Sequence, residues 1–251
     1  MIREEVVFGP IFSRRLGSSL GINLLPENGK ICTFDCIYCE CGWNKDGRDD
    51  THLPSAERVR KALEAKLKEC LANQVPIDSI TFSGDGEPTL NPEFPQIIDD
   101  TIALRNKYFP HSKITVLSNA TMVHKPEVFN ALRKVDNPTM KIDAPTNALI
   151  EKINHPAPGY DIHRVVEALK QFNGDFILQT MFLKSKDFDS SNPEVLNGWM
   201  DIVRVLKPRE VMVYTIDRPT PEVGLQKFTV DEMRALVRPL IDEGFVIQIK
   251  G

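Results

Sequence analysis

The segment Cys32-Thr33-Phe34-Asp35-Cys36-Ile37-Tyr38-Cys39 carries three cysteines at C-x3-C-x2-C spacing. Three thiolates on one short loop can reach a single compact inorganic core, whereas side chains on a straight helix or strand diverge. A cubane iron–sulfur cluster has four irons, so three cysteines leave one iron without a protein ligand. An open metal position is typical of catalytic sites, while structural sites are closed.

The residues alone leave other interpretations of these cysteines open. Zinc usually takes four tetrahedral ligands, and the neighbouring Cys41 is a candidate for the fourth. Two further interpretations are that two of the three cysteines form a disulfide and leave one free thiol, or that the three are core residues buried by chance. A fourth protein ligand would close the site, so we expect Cys41 to be a non-ligand. Cys70 falls on the apolar stripe of a predicted helix and is expected in the core.

Length and composition predict an ordinary globular chain. Its 251 residues suffice for one α/β domain of barrel size, predicted over 1–251 with an N-terminal extension at 1–18 and a core at 19–251. No apolar run approaches the roughly 18 residues needed to cross a bilayer, and the first residues do not resemble a signal peptide. We therefore expect a cytoplasmic protein with no membrane partner, whose cysteines are ligands or core residues. The formal charge of −4 gives no electrostatic footprint for nucleic acid.

Strand-like runs alternate with helical patterns along the whole chain. The predicted strands are 20–25, 77–82, 113–117, 139–144, 175–183, 210–216 and 245–249. The predicted helix starts are Ser55, Asn91-Pro92, Asp161, Asn192-Pro193 and the capping box at Thr229. Alternation repeated six times without internal sequence repeats predicts a parallel sheet covered by helices. Six such units make a partial (β/α)6 TIM-like barrel, open where the eight-unit barrel is closed.

A glycine-rich turn follows the second predicted strand. It reads Ser83-Gly84-Asp85-Gly86-Glu87-Pro88. Two glycines at the end of a strand allow a ligand to approach the backbone closely. Such a turn is weak evidence alone, because many β/α loops contain glycine.

Two ionisable residues alternate with apolar ones on the fourth predicted strand. Lys141 and Asp143 therefore point the same way. A barrel interior tolerates such a pair only when the two are mutually paired or meet a polar ligand. We interpret the pair as part of a site; the alternative is an ion pair that only holds the barrel together.

The cysteine segment, with Tyr38 next to the last cysteine, resembles the signature of the radical S-adenosylmethionine (radical SAM) superfamily. The resemblance implies a 4Fe-4S cluster held by Cys32, Cys36 and Cys39, whose fourth iron is chelated by the amino and carboxylate groups of SAM. An electron from the cluster then cleaves the sulfonium and yields a 5'-deoxyadenosyl radical. The N-terminal stretch around Arg14 and Arg15 looks like the opening of a group that contains wyosine-type tRNA-modifying enzymes and short uncharacterised relatives. These two arginines are candidate phosphate or carboxylate contacts, or solvated.

The resemblance also implies a set of cofactor-binding residues. The glycine turn looks like the family's glycine-glycine-glutamate-proline motif, which binds the SAM amino group, with Asp85 where the commoner pattern has glycine. Asn119 stands where the family has a polar residue near the SAM carboxylate and ribose, or else caps the next helix. The implied cofactor-binding residues are Tyr38, Gly84, Gly86, Glu87, Asn119, Lys141, Asp143, Gln179, Tyr214 and Thr215.

These features predict a radical SAM enzyme of oxidoreductase or transferase type that abstracts hydrogen from a tRNA base or from a peptide or protein residue. A glycyl-radical activase is a further interpretation, and a low-potential donor of flavodoxin or ferredoxin type is the implied electron source. Wyosine-type enzymes are said to bind a second cluster through additional cysteines. Only Cys41 and Cys70 remain in this chain, which are too few for three more ligands, so the count argues against a wyosine-type enzyme. The alternative from another class is a non-catalytic iron–sulfur electron carrier or redox sensor, which needs no SAM pocket.

Overall fold

The computed structural model describes residues 5–13, 16–46 and 50–251, so Arg14 and Arg15 lie outside the described residues. The chain divides into two compact units that interleave in sequence. Unit 1 comprises Met1–Cys32, Asn44–Ser118 and His124–Pro138, and unit 2 comprises Thr33–Trp43, Asn119–Val123 and Thr139–Gly251.

The sheet of unit 1 is mainly parallel. Strand β2 (Gly17–Ile22) lies beside β3 (Ser79–Phe82), which lies beside β4 (Lys113–Ser118), all parallel. An additional strand, β1 (Val7–Ser13), pairs antiparallel with β2. The sequence did not predict β1, because glycine and proline interrupt its apolar residues and its register shifts between Phe8 and Ile11. Each strand of this sheet buries apolar side chains completely or nearly so, as Ile22, Ile80 and Val116 show.

One predicted strand boundary in unit 1 is wrong. The first core strand was expected at 20–25, but β2 begins at Gly17 and ends at Ile22. Leu24 and Leu25 are buried beyond its end, so their apolar character reflects packing outside the strand. The side chain of Asn23 accepts a hydrogen bond from the backbone N–H of Leu25 (3.2 Å), a local turn contact that replaces strand pairing.

Three helices accompany this sheet: α1 (Ala56–Ala72), α2 (Phe94–Tyr108) and α3 (Pro126–Leu132). Ser55 caps α1 as predicted. The predicted start of α2 at Asn91-Pro92 is wrong, since the helix begins at Phe94 with Glu93 as its N-cap residue. Asn91 is instead fully occupied in loop contacts: it accepts from Glu93 N and donates to the carbonyls of Leu24 and Pro54.

Unit 2 holds a second parallel arrangement. Its strands are β5 (Asn137–Lys141, from Thr139 onward in this unit), β6 (Ile177–Met181), β8 (Glu210–Tyr214) and β10 (Ile247–Lys250), which are neighbours in that order. Two short strands, β7 (Leu183–Lys184) and β9 (Gln226–Lys227), pair antiparallel. β5 ends at Lys141 and not at the predicted residue 144, although Ile142 N still donates to Gln179 O (3.1 Å).

Five helices belong to unit 2: α4 (Asn147–Asn154), α5 (Ile162–Lys170), α6 (Pro193–Leu206), α7 (Val230–Leu236) and α8 (Arg238–Asp242). The predicted caps at Asp161 and Asn192 and the Thr229 capping box are confirmed. The helix predicted to start at the Thr229 capping box is divided into α7 and α8, with Pro239 in the first turn of α8. In the described residues, none of the helices combines the length and hydropathy of a membrane-spanning segment.

Candidate functional site

The last turn of α4 holds the cysteine segment in unit 2 through backbone hydrogen bonds. Asp35 N donates to Asn154 O (2.8 Å) and Ile37 N donates to Ile153 O (3.1 Å). Farther along, Ala157 N donates to Thr33 O (2.7 Å). α4 ends here because His155 adopts a left-handed conformation with φ of 41°. Hydrogen bonds to the end of α4 and to the loop that follows it therefore fix the backbone of the cysteine segment.

The segment itself turns tightly after Cys36. Cys39 N donates to Cys36 O (3.1 Å), and Gly42 N donates to Cys39 O (3.0 Å). None of the five cysteines forms a disulfide, which contradicts the disulfide interpretation. Cys70 is buried on α1, as its position on the apolar stripe predicts.

Cys36 belongs to a buried polar network. The side-chain amide of Asn154 donates to Cys36 Sγ (3.2 Å), to Tyr38 OH (3.1 Å) and to Asp143 Oδ2 (2.8 Å). Tyr38 OH donates to the same oxygen of Asp143. Burial raises the pKa of Cys36 to about 12, and Lys141 is the strongest of the influences that oppose this. The thiol is therefore neutral at physiological pH when it binds no cation.

Lys141 lies in the same network. Its Nζ donates to Tyr214 OH (2.5 Å), lies 3.5 Å from Asp143 Oδ1 and stands 5.0 Å from the ring centres of both Tyr38 and Tyr214. Burial alone would lower the pKa of Lys141, but the negative charge of Asp143 raises it above its usual value. Lys141 and Asp143, predicted to point the same way, thus form an ion pair, and their role in a cofactor site stays a prediction.

Asp143 is the common acceptor of this network. Besides the contacts above, its Oδ1 accepts from the backbone N–H of Met181 (2.8 Å), and the residue is 3% exposed. Burial raises the pKa of Tyr38, and the charge of Asp143 raises it further. A buried carboxyl group with this many donors fixes the groups around it.

Two other predicted site residues of unit 2 have different partners. Gln179 lies opposite Lys141 in the register of β5 and β6, and its amide donates to Met212 Sδ (3.7 Å). Thr215 Oγ1 donates to Phe182 O (2.9 Å) and accepts from Phe228 N (3.1 Å). The Thr215 hydroxyl is thus committed to loop contacts after β8, and its backbone N–H donates to Lys250 O (3.3 Å).

Asn119 contacts the start of the cysteine segment. Its Nδ2 donates to Thr33 Oγ1 (2.8 Å), while its Oδ1 accepts from the N–H and hydroxyl of Thr121. The next helix begins at Pro126, so the alternative of Asn119 as a helix cap is wrong. Asn119 instead helps to hold the residue that follows Cys32.

The glycine turn lies in unit 1 against the residue before Cys32. Ile31 N donates to Asp85 O (3.2 Å), and Glu87 N donates to Ile31 O (3.1 Å), which makes a two-residue parallel bridge. Gly86 has φ of 139°, and a Cβ there would stand 1.9 Å from Ile31 O. A Cβ on Gly84 would stand 2.0 Å from Asn23 Oδ1. Glycine is therefore required at both positions, because Ile31 and Asn23 occupy the space that a Cβ would need.

The acidic side chains of this turn are buried and hydrogen-bonded. Glu87 Oε1 accepts from Thr89 N (3.1 Å), from Ser118 Oγ (2.9 Å) and from the Thr89 hydroxyl, so the carboxylate caps the short 3-10 helix that follows. Asn23 donates to Asp85 Oδ2 (3.4 Å) and accepts from Asp85 N (3.2 Å). Asn23 thereby accommodates the aspartate that stands where the resembling motif has glycine.

The donor chemistry of the cysteine segment fits an iron–sulfur cluster. Its three thiols are not consumed by disulfides, and thiolates are the preferred ligands of such clusters. Asn154 Oδ1 is buried without a hydrogen-bond partner among the described residues, which leaves an acceptor at the segment for a bound group. Within residues 5–13, 16–46 and 50–251, no three His, Cys, Asp or Glu side chains are gathered to hold a metal ion as they stand. The cysteine segment thus has the right donor atoms for a cluster, but the described side chains are not arranged around a metal position.

Sequence reasoning missed Asn154. It is the last residue of α4, a helix that none of the predicted helix starts includes, and it is 0% exposed. Ile150 and Ile153 are the buried apolar residues of α4, and the amphipathic spacing that they share is a signal from which this helix could have been predicted.

Comparison with known proteins identifies similar sequences. A family model described as the Radical SAM superfamily matches residues 29–189, more than half of the chain. A protein of Brachyspira hyodysenteriae named "GTPase Obg" is 30% identical over 236 residues, which cover 92% of this chain and 33% of that protein. A "UPF0026 protein" of Helicobacter pylori is 28% identical over 248 residues, which cover 97% of this chain and 76% of that protein. The chain therefore spans a third of the first relative and about three quarters of the second.

Solved structures show the fold. SuiB of Streptococcus suis bound to S-adenosylmethionine has a TM-score of 0.65 at 17% identity, covering 92% of this chain and 50% of SuiB; SuiB has also been solved with its precursor peptide SuiA. A radical SAM methyltransferase from Sphaerobacter thermophilus has a TM-score of 0.71 at 14% identity, covering 95% of this chain and 67% of that protein. The likeness confirms the predicted fold class, the partial barrel of the radical SAM type. The finer resemblance to wyosine-type enzymes stays a prediction.

Proposed function

This chain belongs to the radical SAM superfamily, and from that premise we propose that it is an enzyme that cleaves S-adenosylmethionine reductively and abstracts hydrogen from a substrate. The observation that carries the proposal is the network in which Cys36, Tyr38, Lys141 and Asp143 meet, since it joins the cysteine signature to the ionisable pair at the end of β5. A non-catalytic electron carrier would need the cysteines to hold a cluster, but it would not need the buried ionisable pair beside them.

Cys32, Cys36 and Cys39 are the proposed ligands of a 4Fe-4S cluster. When bound, the cluster supplies the electron that cleaves the sulfonium of SAM and releases the 5'-deoxyadenosyl radical. The chain's own part is to hold the cysteines in their ligand form. Lys141 favours the Cys36 thiolate electrostatically and opposes the effect of burial. Cys41 remains a proposed non-ligand, which keeps one iron open.

The ionisable groups of unit 2 suit the charges of SAM. Lys141 carries a positive charge at neutral pH, because its pKa is raised, and is the proposed contact for a carboxylate. Tyr214 holds the ammonium in place through its hydroxyl. Asp143 balances the lysine before SAM binds, so the site does not bury an uncompensated charge. The polar groups of the Gly84–Glu87 turn, Asn119, Gln179 and Thr215 are the other proposed cofactor contacts.

A peptide or protein is the favoured substrate class. SuiB has been solved with a precursor peptide, and the structure named anSMEcpe has been solved with SAM and a peptide. A net charge of −4 supplies little electrostatic attraction for a tRNA backbone. A reduced flavodoxin or ferredoxin is the proposed electron donor, since a low-potential cluster needs a low-potential reductant.

The proposal is tested by reconstituting the cluster without oxygen. Iron and sulfide are measured, SAM and dithionite are added, and 5'-deoxyadenosine is measured by chromatography. We expect about four irons per chain and product formation, both lost in Cys36→Ala. Cys70→Ala is the matched control, because Cys70 is a buried thiol on α1, and it should retain both. A stable cluster that never yields 5'-deoxyadenosine would support the carrier, and bound zinc without sulfide would contradict both functions.

A further inference from the structure

Asn154 connects α4 to the cysteine segment by its main chain and its side chain at once. Its carbonyl accepts from Asp35 N (2.8 Å), and its side-chain amide donates to Cys36 Sγ (3.2 Å). The residue is 0% exposed. One residue therefore both holds the backbone of the cysteine segment, at Asp35, and donates a hydrogen bond to the sulfur of Cys36, a proposed cluster ligand.

The orientation of the Asn154 amide is fixed by its partners. Tyr38 donates its hydroxyl hydrogen to Asp143 Oδ2, so the Tyr38 and Asp143 oxygens both act as acceptors toward Asn154. An amide carries two hydrogens. The closer bond is to Asp143 at 2.8 Å, and the second hydrogen is shared between Tyr38 OH at 3.1 Å and Cys36 Sγ at 3.2 Å. Rotating the amide by half a turn would place its oxygen against three acceptors.

The shared hydrogen responds to charge on sulfur. A neutral thiol is a weak acceptor, while a thiolate bound to a cluster is a stronger one. Reduction adds an electron to the cluster and increases the negative charge on its sulfurs. An N–H donor aimed at one of them therefore stabilises the reduced state more than the oxidised state, and hydrogen bonds to sulfur are among the influences that set cluster potentials.

We propose that Asn154 is a positioning residue that raises the reduction potential of the cluster through its N–H···S hydrogen bond to Cys36. The inference rests on the proposed function, since it requires the cluster. It assigns to Asn154 the task of making the cluster easier to reduce, while Tyr38 and Asp143 hold the amide in the donating orientation.

The test compares Asn154→Leu with Asn147→Leu. Asn147 is an exposed asparagine in the first turn of the same helix, where it contacts Asp161 and Ile162, and it is the matched control. The midpoint potential of the reconstituted cluster is measured by redox titration followed by electron paramagnetic resonance. We expect Asn154→Leu to lower the potential by about 59 mV, equivalent to a tenfold change in a one-electron equilibrium. Asn147→Leu should not change it.

An unchanged potential in a folded Asn154→Leu protein with full iron content would overturn the inference and leave the proposed function standing. If Asn154→Leu does not fold, pulsed electron paramagnetic resonance on protein labelled with side-chain 15N asparagine gives the answer. The labelled protein carries Asn44→Ala and Asn119→Ala, because these two amides also contact the cysteine segment, at Cys32 O (3.3 Å) and Thr33 Oγ1 (2.8 Å). A 15N coupling to the reduced cluster supports the inference, and its absence overturns it. If the unaltered protein forms no cluster at all, the proposed function fails and the inference fails with it.

Discussion

Lys141 Nζ lies 3.5 Å from Asp143 Oδ1, with the Lys141 side chain 16% exposed and that of Asp143 fully buried. The two residues are separated by one position, and both belong to the network that contains Cys36. Removing one member of a buried pair costs more than the pair contributes, because it leaves a buried charge uncompensated.

Lys141→Met is therefore expected to lower the free energy of unfolding by roughly 3 kcal/mol. The measurement is urea denaturation of the protein without cofactors. Lys61→Met is the control, since Lys61 forms a solvent-exposed pair with Glu57 (2.5 Å) and such pairs contribute at most about 1 kcal/mol. Equal effects of the two substitutions would contradict the structural reading of the pair.

Gly86→Ala should disrupt the bridge between the glycine turn and Ile31. The new Cβ would stand 1.9 Å from Ile31 O at a φ of 139°, so we expect a loss of about 3 kcal/mol or more. Gly159 also has positive φ (88°), but a Cβ there meets nothing within 4 Å. Gly159→Ala should cost only about 1 kcal/mol, and denaturation of both variants measures the difference.

Cys36 should resist alkylation in the protein without cofactors. Its pKa of about 12 against an ordinary value of 9.0 leaves about a thousandfold less thiolate at pH 8. Iodoacetamide labelling followed by peptide mass spectrometry compares its rate in the folded chain and in guanidinium. Protection of less than tenfold would show that the thiol is not buried as described.

Asp136 should contribute an acid-sensitive part of the stability. Burial alone would raise its pKa, but Ile114 N (2.9 Å) and Arg105 (2.8 Å) lower it below the usual value. A lowered pKa gives stability that is present above the unfolded value of about 4 and is lost as the pH falls through the folded value. Asp136→Asn should therefore lose about 1.5 kcal/mol at pH 7 and show a weaker decline of stability below pH 4. Asp242→Asn, at an exposed pair with Arg238, should resemble the unaltered protein.

Iron content should separate the cysteines into two groups. Cys32→Ala, Cys36→Ala and Cys39→Ala are expected to abolish cluster assembly, because two thiolates do not retain a cubane against exchange. Cys41→Ala should retain full iron and sulfide, since a fourth protein ligand would close the open position. Loss of the cluster in Cys41→Ala would make Cys41 a ligand and would remove the proposed place for SAM.

Patterns within a single strand or helix predicted the features that depend on neighbouring residues, namely side-chain orientation and burial. Alternation on the fourth predicted strand predicted that Lys141 and Asp143 point the same way, and helical spacing predicted the burial of Cys70. The predicted start of α2 was wrong because the Asn91 amide is tied to the carbonyls of Leu24 and Pro54, while its oxygen closes only a local turn at Glu93 before the helix begins. The sequence marks a cap but does not show which backbone the cap will serve.

The role of Asn154 could not be predicted for a different reason. Its partners Cys36 and Asp143 lie 118 and 11 positions away, so only the packing of α4 brings them together. The antiparallel strand β1 was missed because its pairing compensates for weak local propensity. Contacts between distant segments carry this information, and no single window of residues contains it.

The bridge between Ile31 and Gly86 has a consequence for protein engineering. Because the two backbones are paired in parallel, adding or deleting one residue between Lys30 and Cys32 would turn alternate side chains over and displace the first cysteine by a full residue step. Libraries that vary loop length should therefore leave these three positions untouched. The two motifs joined by this bridge, Ile31 and Gly86 being 55 positions apart, thus have to be transplanted as a matched set when this scaffold is used to host other chemistry.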